Sequence, residues 1–216
     1  MTQPTSPPRF IAVEGSIGAG KTTLSKLLAE KYDARLVLEV DDDNPFIAKF
    51  YEDKATYAFQ TQIYLLLSRY KQYSELAQGE LFSSMVITDY LFQRDRLFAY
   101  LNLKGHELAL YEQIYSLVEN KVPTPDLVIF LQGDSEILQA RIDKRGREYE
   151  ELMDFDYLCK VNKIFNNYFF YYSDAPILVV NTNELDFAEK KIDLDDLISK
   201  INSHKIGREY YSPLVS

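Results

Sequence analysis

Residues 15–22 read GSIGAGKT, a GxxxxGKT pattern whose chemistry is the cradling of a nucleoside triphosphate. The glycines at Gly15, Gly18 and Gly20 let the backbone turn tightly enough to aim successive N–H groups at phosphate oxygens, with Ser16, Ile17 and Ala19 in the same cradle. Lys21 adds a point charge near the β and γ phosphates, and the hydroxyl of Thr22 is suited to ligate magnesium. Thr23 lies in the first turn of the helix expected to follow, whose positive dipole end faces the same anion. An ATP- or GTP-dependent function is the first expectation.

Other side chains could supply the rest of a reaction. Glu39 closes an apolar run, where it could act as general base toward a hydroxyl beside the γ phosphate or stand as a solvated strand-end acid. Asp89 ends MVITD, a position where an acid commonly holds magnesium or its water shell. Gln62 and Arg69 are seven positions apart, almost two helical turns, so they share a face with Leu66. An amide and a guanidinium there could read the edge of a base, or merely border the core; by rotating its amide, Gln62 could pair with guanine, adenine or cytosine. Arg141, Arg145 and Arg147 surround Gly146, and Arg141 and Arg145, one turn apart, can grip the same anion or complement a helix C-terminus. His106 and His204 support neither a Ser-His-Asp triad nor a histidine metal site.

These residues need elements that gather them. Five short apolar runs, at residues 10–14, 36–39, 85–89, 127–131 and 177–180, are continuous rather than alternating, as in strands covered on both faces. Helical patterns occupy residues 23–30, 57–78, 92–120 with interruptions, and 135–145, with Pro123, Pro125 and Gly146 as stops. Strand alternating with helix predicts an α/β fold with a parallel sheet of about five strands flanked by helices. Ligands then sit outside the strands' carboxyl ends, which gathers the glycine-rich loop, Glu39, Asp89 and the loops near Gly133 and Asn181. The acidic stretch 186–201, with Leu194, Leu197, Ile198 and Ile201 at helical spacing, reads as a closing surface helix. Residues 1–8, MTQPTSPP, read as a disordered tail before a single domain over residues 9–216.

Composition excludes several classes of partner. With 24 basic against 33 acidic residues and a net charge of -9, the surface as a whole repels nucleic acid and anionic membranes, so small molecules are the expected partners. No apolar run approaches a membrane span, and Cys159, the single cysteine, rules out an internal disulfide; a cytoplasmic setting fits. The 17 tyrosines and 13 phenylalanines, including FFYY at residues 169–172, read as core and interface packing. A regulatory GTPase would need an NKxD-type guanine reader, and neither Asn120-Lys121 nor Asn162-Lys163 continues to the aspartate. A nucleoside monophosphate kinase such as thymidylate kinase would call for an arginine near Asp89, where Tyr90 stands, and a non-catalytic nucleotide-binding module would leave Lys21, Thr22, Glu39 and Asp89 idle.

Several ordered motifs together resemble the deoxynucleoside kinase family, most closely its bacterial deoxyguanosine and deoxyadenosine kinases. They are the glycine-rich loop, LEVDDDNPFIAKFYED around Glu39, FQTQ ending at Gln62, SRYKQ around Arg69, and RIDKRGREYE from Arg141 to Glu150, and the likeness runs from residue 9 to about residue 187. The resemblance implies transfer of the ATP γ phosphate, with magnesium held by Thr22 and Asp89, to the 5′-hydroxyl of a purine deoxynucleoside, deoxyguanosine first, by a homodimer built from helices. It implies that Glu39 contacts that hydroxyl as base, that Tyr51 and Glu150 hold the 3′-hydroxyl, that Phe59 stacks near the base and that Gln62 bonds it with Arg69 alongside. Tyr90 and Asp95 complete the implied nucleoside set. Arg141, Arg145 and Arg147 form the implied lid over the ATP phosphates, and Asp186-Phe187 the loop beside the donor adenine. One departure stands out: many members carry an arginine directly after the acid of the third strand, whereas this chain reads Asp89-Tyr90-Leu91, which leaves Arg94, Arg96 or a lid arginine to substitute.

Overall fold

The computed structural model describes residues 8–39, 44–79, 85–185, 191–204 and 206–212. The five apolar runs form β1 (Phe10–Gly15), β2 (Arg35–Val37), β3 (Val86–Thr88), β4 (Leu127–Gln132) and β5 (Ile177–Asn181). A further strand, β6 (Arg208–Tyr211), corrects the expected count to six. Its sequence REYY is short, polar and only partly buried, so it offers no apolar run to find, yet it pairs with β5 through Ile177 and Arg208. All pairings are parallel, in the order β2-β3-β1-β4-β5-β6.

Helices cover this sheet: α1 (Lys21–Tyr32), α2 (Ile47–Glu52), α3 (Lys54–Gly79), α4 (Arg94–Asn102), α5 (Gly105–Val118), α6 (Ser135–Arg145), α7 (Phe155–Tyr171) and α8 (Lys191–Ser203). The expected helix over 92–120 divides at Leu103 and Lys104, both extended, and α5 restarts at Gly105. Gly146 ends α6 in the left-handed conformation, φ 66°, as its position predicted. Helices α2 and α7 were not apparent from the pattern. The second begins at Asp154, whose carboxylate accepts from the Tyr157 amide at 2.7 Å. The closing helix is present as α8, with Leu197, Ile198 and Ile201 buried. Residues 1–7 of the expected tail and residues 186–190 lie outside the described residues.

The core explains the continuous apolar runs. Ile11 to Val13, Leu127 to Leu131 and Ile177 to Val180 are all buried because helices pack on both sides of the central strands. From α7, Phe169 stacks on Phe130 of β4 at 4.4 Å between centroids, so the FFYY run does serve the core at its first position. Among the described residues no helix is long and apolar enough to cross a membrane.

Candidate active site

The loop from β1 to α1 leaves the sheet at its carboxyl end, beside the β1–β4 boundary where the connections change sides. Backbone demands explain its glycines. Gly18 has φ 80°, and a Cβ there would lie 2.6 Å from the Leu138 carbonyl oxygen, while one at Gly15 would meet the Leu131 oxygen at the same distance. Within the loop, Lys21 Nζ donates to the Ser16 carbonyl at 2.9 Å. Burial and the nearby Arg94 push the Lys21 ammonium down to about 8, against the pull of Glu14, Glu39 and Asp89.

Asp89, just past β3, joins two elements. Its Oδ2 accepts from the Thr22 hydroxyl at 2.5 Å and its Oδ1 from the Glu39 backbone N–H at 2.6 Å. Burial and the neighbouring Glu39 push its carboxyl up, which the hydrogen bonds and Lys21 oppose. Beyond it runs a row of alternating charges. Glu14, fully buried at the end of β1, accepts from Gly15 N and Leu91 N at 2.8 Å each and lies 3.7 Å from Arg94 Nη1. The same Arg94 nitrogen donates to Glu39 Oε2 at 2.8 Å, and its guanidinium rests against the rings of Phe98 and Phe165. Glu39 Oε1 accepts from Arg69 Nε at 2.8 Å, and Arg69 pairs in turn with Asp95 Oδ2. Although burial disfavours charge on Glu39, Arg69, Arg94 and Lys21 prevail and hold its carboxyl well below the usual carboxylate range.

A cavity opens above this row, with Ile17, Gly18, Lys21 and Thr22 at one end and Gln62, Leu65 and Arg69 at the other. Its roof is aromatic and basic. Tyr149 stacks on Tyr51 at 5.9 Å and accepts from Arg147 Nη1 through its hydroxyl at 2.7 Å, and Arg145 donates to both carboxylate oxygens of the buried Glu150, at 3.1 and 2.5 Å. Arg141 turns elsewhere: it donates to the Thr182 hydroxyl and carbonyl and to the Leu185 carbonyl, at 3.2, 2.6 and 3.2 Å, and so holds the segment that follows β5.

A sequence model of the deoxynucleoside kinase family matches residues 11–205. The chain belongs to that family. The kinase is 32% identical over 197 residues to the deoxyguanosine kinase of Bacillus subtilis (strain 168), covering 89% of this chain and 95% of that one. It is 29% identical over 201 residues to the deoxyadenosine/deoxycytidine kinase of the same organism, covering 90% and 92%. Among solved structures, the deoxyadenosine kinase from M. mycoides with products dCMP and a flexible dCDP bound superposes with a TM-score of 0.79 at 30% identity, covering 90% of this chain and 99% of the other. The protein is thus an ATP-dependent phosphotransferase acting on deoxynucleosides.

The kinase's cavity brings together most of the residues singled out in the sequence: Lys21, Thr22, Glu39, Tyr51, Gln62, Arg69, Asp89, Arg145, Arg147 and Glu150 all line it. Gly15, Ser16, Ala19, Gly20 and Thr23 belong to the loop and the start of α1. Tyr90, Asp95 and Phe59, like Arg141, fall elsewhere. Tyr90 is a correction to the nucleoside set: it is fully buried, its hydroxyl donates to Gln72 Oε1 at 2.6 Å and its ring meets Tyr73 edge-on, so it packs the core. Asp95 lies behind the wall, bonded to Gln62 and Arg69, and Phe59 packs against the core without lining the cavity. Arg141 and Arg145 bond to different partners, Thr182 and Leu185 for the first and Glu150 for the second. Asp186 and Phe187 are outside the described residues. Of the candidates to replace the family arginine, Arg96 is committed to Glu112 at 2.9 and 2.7 Å, and Arg94 is the one that reaches Glu39. Sequence reasoning passed over Tyr149, although it sits inside the RGREYE segment, and Tyr157, whose helix α7 went unrecognised.

Proposed function

We propose that this kinase transfers the ATP γ phosphate to the 5′-hydroxyl of a purine deoxynucleoside, deoxyguanosine ahead of deoxyadenosine, in the cavity between Lys21 and Gln62. The observation that carries the reading is the charge pattern on the acceptor side. Arg69 and Arg94 are shared among Glu14, Glu39 and Asp95, two cations against three carboxyl groups, so this wall suits a neutral nucleoside and not a nucleotide bearing its own phosphate. The deoxyguanosine kinase of B. subtilis supports the purine preference. The deoxyadenosine/deoxycytidine kinase supports a second reading, in which deoxycytidine is also accepted.

In this mechanism the 5′-oxygen attacks the γ phosphorus as the bond to the ADP oxygen breaks, and the hydroxyl proton passes to Glu39. A carboxylate held at such low basicity takes that proton late, which a loose phosphoryl-transfer transition state allows, and its main work is to aim the hydroxyl. Lys21 and, from the roof, Arg145 and Arg147 stabilise charge on the transferring group, while Arg141 anchors the segment beside the donor base. Thr22 and Asp89 are hard oxygen donors within hydrogen-bonding distance of one another, a pair that fits magnesium, and they would hold it there. Magnesium bound there would supply charge neutralisation at the phosphates. Tyr51 and Glu150 receive the 3′-hydroxyl, and Gln62 and Arg69 the base. The reading extends to a cytoplasmic salvage enzyme that is a homodimer, for which α4 and α5 present Tyr100, Leu110 and Leu117 to solvent.

The decisive assay is a panel of deoxynucleosides and deoxynucleoside monophosphates with ATP and magnesium. Phosphorylation of the nucleosides is expected; reaction of the monophosphates alone would overturn the reading. Glu39→Gln should lower turnover by about 10²-fold or more while ATP binding stays nearly intact. Unchanged turnover removes Glu39 from that role.

A further inference from the structure

Tyr111 belongs to α5, a helix from which no described residue lines the cavity, and its ring is fully buried. Its hydroxyl nonetheless donates to Asp95 Oδ1 at 2.6 Å. The other Asp95 oxygen, Oδ2, receives Arg69. Gln62 Nε2 donates to both the Asp95 backbone carbonyl and Asp95 Oδ1, each at 2.9 Å. This double contact fixes the sense of the Gln62 amide. A backbone carbonyl can only accept, so the nitrogen must face Asp95, and the carbonyl oxygen Oε1 is left as the amide's contribution to the cavity that Gln62 lines.

We propose that Tyr111 is a positioning residue for base selection, which by holding Asp95 locks the Gln62 amide so that the incoming deoxynucleoside meets a carbonyl oxygen and must present an N–H there. The proposal rests on the reading of this cavity as the deoxynucleoside site and names the device that sets its selectivity. Asp95 Oδ1 has two donors, Tyr111 from one helix and Gln62 from another, and its partner oxygen is tied to Arg69, so the carboxylate cannot turn without breaking a buried bond. Turning the amide instead would set its oxygen against two acceptors. A base offering a lone pair at that point therefore meets an oxygen that cannot yield, whereas an amino or imino group is bonded. Without the tyrosine hydroxyl, Oδ1 keeps the amide as its sole described partner, the carboxylate is held against rotation at Oδ2 alone, and the sense of the amide rests chiefly on the Asp95 backbone carbonyl, a single contact that a competing base can break.

The test compares kcat/KM for deoxyguanosine, deoxyadenosine, deoxycytidine and thymidine in the wild type and Tyr111→Phe. The ratio between the best and the poorest substrate should fall at least about tenfold in Y111F, the scale on which buried polar groups discriminate substrates. In the Gln62→Leu background the same substitution should leave the ratio where Q62L alone puts it. Equal loss on all four substrates, or an unchanged ratio, would mean that Tyr111 only supports the fold and would overturn the proposal. If Y111F does not accumulate as folded protein, Asp95→Ala removes the acceptor that Tyr111 and Gln62 share, and an unchanged ratio there overturns the proposal equally. A wild type that phosphorylates all four equally defeats the proposal alone; one that phosphorylates none defeats the reading of the cavity along with it.

Discussion

Arg94 shows how one side chain can serve two elements. It neutralises Glu39, which the acceptor hydroxyl would meet, and it leans toward Glu14, which ties the phosphate loop to the residues after Asp89. If Arg94 acts through Glu39, their substitutions will not add. Arg94→Met should cost at least about tenfold in kcat in the wild type and almost nothing more in the Glu39→Gln background, a coupling read from single-turnover rates of the four proteins. Independent losses would detach Arg94 from the acceptor hydroxyl. At this scale the sequence was most informative where a helix or a strand sets the spacing. Gln62 and Arg69 do share a face of α3, and Glu39 and Asp89 do meet at the strand ends, because local geometry fixes those relations. Tyr111 gave no signal, since its contact with Asp95 depends on how α5 crosses α4, and Tyr90 misled because its side chain turns into the core toward Tyr73 and Gln72.

One helix, α7, is held by a side-chain cap as well as by packing. Asp154 caps α7 with a carboxylate that accepts the Tyr157 amide, and that hydrogen bond draws its carboxyl below the usual range. Asp154→Ala should therefore lower stability by about 1 kcal/mol at neutral pH, measured by urea unfolding. The folded group is more acidic than the unfolded one, so its contribution is present in full above the unfolded value of about 4 and disappears as the pH falls through the folded value. The penalty of D154A should shrink over that interval, while Asp154→Asn keeps part of the cap throughout. Strands were easier to foresee than helices. β1, β4 and β5 are buried on both faces and must be apolar without interruption, whereas α7 mixes aromatic, charged and amide residues, and α2 is only six residues long.

For the molecule as a whole, the unforeseen β6 matters most. It covers the outer edge of β5, and Arg208 donates to the Phe169 and Tyr172 carbonyls at 2.8 Å each, closing the C-terminal end of α7. Arg208→Ala should destabilise the protein by about 1–3 kcal/mol, because those carbonyls lose a charged donor. Removal of residues 206–216 should go further and promote aggregation, seen by light scattering, as the β5 edge is uncovered. Light scattering of the intact protein also tests the homodimer: a mass near one chain at micromolar concentration would exclude it.

One contact at the centre of the fold decides what can move. The Leu138 carbonyl oxygen lies so close to Gly18 that there is no room for even a methyl group, so the phosphate loop is seated directly on α6. The 11 residues of that helix cannot swing independently of the loop. Any closure over a bound triphosphate has to pivot at Gly146 or beyond it, leaving α6 as the fixed jaw of a vice and the segment from Arg147 to Glu150 as the moving one.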